Sequence, residues 1–263
     1  MNNNIIMVGG TRGIGLSISM KFLHDKNIVH IISRNKDVKL ENDLQSLFHS
    51  KVFFYNCDAT QVDGLSSVRK EILKNSNNII DTVICNVGDG SGSNKYLQDS
   101  EEWDKSWQTN FNSPIFSTRV FLDDLKKSKG VLLFITSIAA TEDLGSPISY
   151  SVAKSAVESY STVLARRLGP DVRVNTVAPG NIFFEGGTWD KKLKDNPAAV
   201  KKMIGSQVPM KRFGKPEEVA ELVSFICSDK ASFRTAITAL GSAKSVRPAR
   251  SKRWVLSRCH LSR

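Results

Sequence analysis

The chain has 263 residues, 40% hydrophobic and 24% charged, enough apolar material for one substantial core. Its formal charge is +11, yet no acidic residue follows Asp229 and nine of the positive charges lie beyond it, so the remainder carries only +2. That remainder does not have the charge of a nucleic-acid-binding body, no secretory leader is expected, and no apolar run approaches about 20 residues. A cytoplasmic protein that does not span a membrane is expected. Four scattered cysteines and four isolated histidines lack zinc spacing, and no metal is expected.

In chain order, β-branched apolar runs at Ile5–Val8, Ile28–Ser33, Val52–Tyr55, Ile79–Cys85, Val131–Thr136 and Val172–Ala178 predict buried parallel strands. Between them, segments of helical period at Ile14–Lys26, Leu40–Phe48, Val62–Leu73, Glu101–Leu125 and Tyr150–Leu168 predict helices. This alternation predicts an α/β fold, a doubly wound parallel sheet with right-handed crossovers. A further helix starts at Pro216, where Val219, Leu222, Val223 and Ile226 fall on one face. The Lys-, Pro- and Gly-rich segment from Thr188 to Lys215 is expected to overhang the ligand crevice as a lid.

Gly9, Gly13 and Gly15, with Thr11, Arg12 and Ile14 among them, follow the first strand and open the first helix. Glycines there let the backbone approach a pyrophosphate, and the helix N-terminus favours its charge. The second strand ends in Ser33-Arg34-Asn35, where an acidic residue would select a ribose 2′-hydroxyl; Arg34 and Arg12 instead favour a 2′-phosphate, hence NADP. Tyr150 and Lys154, four apart on a predicted helix, share a face. An ammonium held beside the phenol would lower its pKa toward general acid/base use. Ser137 follows the fifth strand, where a strand end opens onto the crevice, and its hydroxyl could hold a substrate carbonyl.

The ordered set of glycine loop, CNVG, TNFN, TSIAA, YSVAK and RVNTVAPG resembles the short-chain dehydrogenase/reductase family, over about Ile5 to Phe233. The resemblance implies a Rossmann-like domain over residues 1–233 and an NADP-dependent oxidoreductase moving hydride between nicotinamide and a carbonyl or secondary alcohol. It implies Tyr150 as general acid/base, Lys154 as its partner on the nicotinamide ribose, Ser137 orienting substrate, and Asn110 holding a water for proton relay. Asp58 and Ala59 would meet adenine, Asn86, Val87 and Gly88 would flank the cofactor, and Pro179, Gly180 and Ile182 would pass the nicotinamide. Phe184 stands where many members carry threonine. The run from Pro179 to Asp190 is similar to members tied to bacterial surface-sugar or flagellin-glycan synthesis, a rival to a 3-oxoacyl reductase.

After Phe233 the family's Thr-Gly step and Asp-Gly-Gly strand are missing. Residues 234–263 are therefore expected to form a basic, poorly ordered tail, with the last edge strand in doubt. A homodimer is expected by analogy, and a tetramer is in doubt because the edge strand supplies a common contact. An NADP-binding protein without turnover is the alternative. The tail has one aromatic residue, Trp254, and no recognisable module, so nucleic acid is not an expected partner.

Overall fold

Each apolar run pairs with its neighbours in one parallel sheet, because strands buried on both faces need helices on both sides. The computed structural model describes residues 2–240. The strands are β1 (Asn4–Val8), β2 (Ile28–Ser33), β3 (Val52–Asn56), β4 (Thr82–Cys85), β5 (Val131–Ile135), β6 (Arg173–Ala178) and β7 (Thr238–Leu240). Their order across the sheet is β3-β2-β1-β4-β5-β6-β7. The chain thus winds outward from β1 in one direction and, after β3, from β4 in the other. The switch between β1 and β4 opens a crevice at the strands' carboxyl ends.

Side-chain alternation divides the core in two. Ile6 and Val8 of β1 face a layer with Leu65 and Ile72 of α3 (Val62–Asn75), Phe121 and Leu125 of α5 (Ser113–Ser128), and Val157 of α6 (Ile148–Leu168). Ile5 and Met7 face the other layer, which contains Ile18 and Phe22 of α1 (Gly13–His24), Leu44 of α2 (Val38–Phe48), and Val219 and Val223 of α9 (Pro216–Cys227). No helix of the described residues is long and apolar enough to cross a membrane.

Three expectations need correction. The single helix over 101–125 is α4 (Ser100–Trp107), a π turn at Gln108–Asn112, and then α5. The fourth strand begins at Thr82 rather than Ile79. The edge strand left in doubt is present: Thr176, Val177 and Ala178 pair with Thr238, Ala239 and Leu240. The sheet therefore extends beyond Phe233. It does so without the family's glycine step: main-chain bonds and the side chains of Arg173, Asn175 and Thr235 guide it. Ala236 N donates to Val174 O (2.8 Å) and Thr176 N to Ile237 O (2.8 Å). The Arg173 guanidinium donates to the carbonyls of Ile226, Cys227, Ser228, Ala231 and Arg234, turning the chain from α9 toward the edge. The rest of the expected tail, residues 241–263, lies outside the described residues.

Away from the crevice, His30 of β2 is wholly buried. Its Nδ1 lies 3.1 Å from the Tyr55 hydroxyl and its Nε2 3.4 Å from Asn4 Oδ1. Asn75 donates to the same hydroxyl (3.1 Å), and the Phe53 ring stacks on the imidazole at 5.1 Å. Burial pulls the His30 pKa from 6.5 down to about 4. Between these values the unfolded chain binds the extra proton, so acidification favours unfolding. Urea denaturation at stepped pH should show stability falling from about 6.5 toward 4, by up to about 1.4 kcal/mol per pH unit from this group. The His30→Gln variant should lack that component; equal slopes in both proteins would remove His30 as its source.

Candidate active site

The glycine loop sets the floor of the crevice. A Cβ on Gly15 would stand 2.0 Å from the Gly9 carbonyl oxygen, and Gly9 itself has φ +89°, so both positions require glycine. Asn86, at the end of β4, donates from Nδ2 to Gly9 O at 2.7 Å and ties the loop to the neighbouring strand across the switch. The N-cap of α1 is Arg12, whose side chain makes no capping bond. The first-turn amides thus carry the positive end of the helix dipole without a side-chain cap.

Above this floor lies a cavity of about 530 Å³. Gly9, Thr11, Arg12, Ile14, Ser33, Arg34, Asn35, Asp58, Ala59, Asn86, Val87, Gly88, Gly180 and Ile182 line it, with Ser137, Tyr150 and Lys154. Gly13 and Gly15 shape the loop without being among the lining residues. Pro179 lines a smaller neighbouring cavity instead, and its carbonyl accepts from Ile138 N at 3.1 Å. Arg34 and Arg12 are both exposed. Arg34 sits at the end of β2, where Asn56 Nδ2 donates to its carbonyl (2.8 Å), whereas Arg12 lies within electrostatic reach of Asp89. Arg34 is therefore the better placed of the two for the far end of the cavity.

Three side chains gather on Gly88 and Gly90. A Cβ on Gly88 would meet Lys154 Nζ at 2.8 Å and Asn110 Oδ1 at 3.2 Å, and one on Gly90 would meet the Tyr150 ring at 3.7 Å. Lys154 Nζ donates to Ile135 O (3.2 Å) and lies 5.9 Å from the centre of the Tyr150 ring. The Ser137 hydroxyl accepts from Ala139 N at 3.2 Å, which fixes it at the end of β5, and its nearness to Tyr150 favours the ionised phenol. Asn110, in the π turn, is wholly buried. Its Nδ2 donates to Asp89 O (2.9 Å) and Ser106 O (3.0 Å), and its Oδ1 accepts from Asp89 N (2.9 Å). The side chain thus pins the loop after β4 and has no spare amide hydrogen.

The electrostatics differ from the sequence reading. Burial pushes the Tyr150 phenol above its ordinary pKa of 10, the Ser137 hydrogen bond opposes this, and Asp89 adds to it. The ammonium that was expected to lower it is itself weakened: burial takes the Lys154 pKa from 10.5 down to about 8. A sequence gives the spacing of the pair but not its desolvation.

Sequence reasoning placed the segment 188–215 over the crevice but did not name the residues that form the other half of the cavity. Leu144, Pro147, Trp189, Met203 and Val208 supply an apolar wall, with Lys192 and Gln207 near it. Several come from the lid, which folds into α7 (Thr188–Asp195) and α8 (Pro197–Gln207) around a small core of Val200, Ile204 and Val208. Asn196 caps α8 by accepting from Ala199 N (3.1 Å), and Pro197 follows it, a helix-start signal visible in the sequence.

Residues 8–240 match the family model described as enoyl-(acyl carrier protein) reductase. The chain is 30% identical over 240 residues to the 3-oxoacyl-(acyl-carrier-protein) reductase FabG of Chlamydia muridarum, covering 89% of this chain and 94% of that one. To glucose 1-dehydrogenase 2 of Bacillus subtilis it is 27% identical over 241 residues, covering 89% and 90%. The solved Cj0485 dehydrogenase superimposes with a TM-score of 0.84 at 26% identity, over 91% of this chain and 92% of that one. L-Sorbose reductase from Gluconobacter frateurii, complexed with NADPH and L-sorbose, has a TM-score of 0.85 at 24% identity, over 92% and 96%, a likeness of fold. With this topology, this crevice and a family model spanning nearly all of the described residues, the chain belongs to the short-chain dehydrogenase/reductase family of oxidoreductases.

Proposed function

We propose that this oxidoreductase reduces a carbonyl with NADPH, and that its substrate carries an apolar chain of the 3-oxoacyl kind. The observation that carries the reading is the meeting of Tyr150, Ser137 and Lys154 in one cavity with the glycine loop. A nicotinamide dinucleotide fits this chain: the loop has the close backbone approach that only glycine permits, and the α1 amides beside it have no side-chain cap. Gly9, Thr11 and Ile14 would hold the pyrophosphate, Asp58 and Ala59 the adenine, and Ser33, Arg34 and Asn35 the ribose with its 2′-phosphate. Asn86, Val87, Gly88, Gly180 and Ile182 would line the nicotinamide end. The chemistry such a cofactor supplies when bound is hydride transfer at its nicotinamide ring.

The chain's own groups handle the proton and the orientation. Tyr150, neutral at working pH because burial holds its pKa up, donates from its hydroxyl to the carbonyl oxygen. Ser137, beside Tyr150 in the same cavity, fixes that oxygen with a second hydrogen bond. Lys154, where protonated, stabilises the phenolate left behind. Asn110 holds the loop of Gly88 and Asp89 in place, and this supports a positioning role more directly than the water relay expected of it. The apolar wall favours an acyl chain over a sugar, the rival substrate. Exposed Trp103 of α4 and Val152 and Val163 of α6 support a homodimer through these helices. The buried free thiols Cys57, Cys85 and Cys227 fit a reducing cytoplasm.

Fluorescence titration should show NADPH bound more tightly than NADH, with Arg34→Ala removing most of the preference, about tenfold or more. Wild type should oxidise NADPH against a 3-oxoacyl thioester, and Tyr150→Phe should lower that rate by about 10² or more without weakening NADPH binding. Tight binding with no turnover of any carbonyl would instead favour a nucleotide-binding protein without turnover.

The Lys154 ammonium is lost as pH rises through about 8, whereas Tyr150 holds its proton beyond 10. The pH profile of kcat/KM for carbonyl reduction should therefore fall on its alkaline side near 8. Lys154→Arg, whose charge persists, should carry that fall upward at a lower overall rate. A wild-type profile flat to pH 10 would remove Lys154 from this role.

A further inference from the structure

The segment that carries Ser137 is held on both sides by the helix that carries Tyr150. Before Ser137, Lys154 Nζ donates to Ile135 O (3.2 Å), and buried Thr136 donates from its hydroxyl to Glu158 Oε1 (2.9 Å). After Ser137, the Ser155 hydroxyl donates to Ala140 O, at the end of the 3-10 turn Ile138–Ala140. Lys154, Ser155 and Glu158 all belong to α6 and lie within about two turns of Tyr150.

These bonds are not equivalent. Lys154 is engaged in the chemistry, and Ser155 divides its one hydroxyl hydrogen between Ala140 O and Ser151 O (3.0 Å). The Glu158 carboxyl does not line the cavity. Burial raises its pKa, and the bond from Thr136 opposes that shift, as a donor to a partly desolvated carboxylate must. The Thr136 N–H bonds Val177 O (2.8 Å), so the sheet holds the main chain of this residue while Glu158 ties its side chain to α6. Without Glu158 the hydroxyl would turn to Val177 O, now 3.4 Å away, and follow β6 instead of α6. Ser137 and Tyr150 must reach one carbonyl oxygen together, yet they stand on different elements, the exit of β5 and α6. Their separation depends on how α6 sits on that exit, and a misplacement of about 1 Å at reacting groups costs about 10² in rate.

We propose that Glu158 is a positioning residue: through the Thr136 hydroxyl it clamps the exit of β5 to α6 and so sets Ser137 against Tyr150. The proposal rests on the carbonyl-reduction reading given above. It gives a task in turnover to a half-buried carboxylate outside the cavity.

The test is a double-mutant cycle in the reduction of a 3-oxoacyl thioester by NADPH, with Glu158→Leu and Glu158→Gln each made alone and together with Ser137→Ala. The slow serine-free proteins are read at high enzyme concentration. Glu158→Leu should lower kcat about tenfold, while KM for the carbonyl and NADPH affinity change less than about threefold. Glu158→Gln, whose amide oxygen still accepts from Thr136, should recover kcat to within about threefold of wild type. In the Ser137→Ala background no hydroxyl is left to aim, and Glu158→Leu should cost less than about twofold further. A merely structural carboxylate would cost the same in both backgrounds, and that additivity overturns the proposal. Wild-type kcat in Glu158→Leu, or Glu158→Gln as slow as Glu158→Leu, overturns it too. Should Glu158→Leu not fold, Thr136→Val removes the donor and carries the same cycle, with an additive or absent effect again overturning the clamp. An additive cycle in a protein that reduces the thioester refutes the clamp alone. Wild type that reduces no carbonyl overturns the carbonyl-reduction reading, and the clamp with it.

Discussion

The first strand and the first helix can meet as they do only because Gly15 has no side chain. Its Cα lies against the Gly9 carbonyl, where any Cβ would come within 2.0 Å of the oxygen. That contact brings the N-terminus of α1 to the end of β1, beside the gap between β1 and β4. Asn86 closes the same turn from the far side of the gap by bonding Gly9 O. A pair of glycines and one amide thus hold the loop between β1 and α1 and make the floor of the cavity.

From this floor the rest of the site is built by strand ends. Ser137 stands at the exit of β5 and the Gly88 loop at the exit of β4. Tyr150 and Lys154 reach between them from α6, and the buried Asn110 braces the loop from below. The π turn that carries Asn110 inserts an extra residue into what would otherwise be one long helix. Single-turn π insertions are concentrated at functional positions, because they redirect one side chain without ending the helix. Here the redirected side chain is the one that locks Gly88 and Asp89.

The parallel strands and the glycine loop were legible because their signals are local: β-branched runs, and glycines at a strand-to-helix turn. So was the pairing of Tyr150 with Lys154, since helical spacing alone puts them on one face. The π turn was not legible, because residues 101–125 keep an apolar period that one added residue barely disturbs. The lid helices were half legible, with Asn196-Pro197 announcing α8 while the polar run of α7 announced nothing. Phe184 registered as a departure from a threonine, but Gly13, against which its ring packs, lies far back in the chain. Desolvation of Lys154 and Tyr150 belongs to the packed structure, and so the direction of the Tyr150 shift was out of reach.

The final strand was left in doubt for an instructive reason. Its place on the sheet is prepared by Arg173, encoded at the start of β6, which collects five carbonyls from the end of α9 and the turn beyond. The hydrogen bonds from β6 to the added strand are then mostly main-chain to main-chain. Most of the information for closing the sheet is thus written upstream of the segment that closes it. Such an arrangement leaves the terminal sequence open to drift: substitutions there meet a preformed docking edge, while a change at Arg173 would leave several helix-end carbonyls without their common donor at once. The border of the sheet is inherited from its interior, and the segment that occupies it is comparatively free to vary.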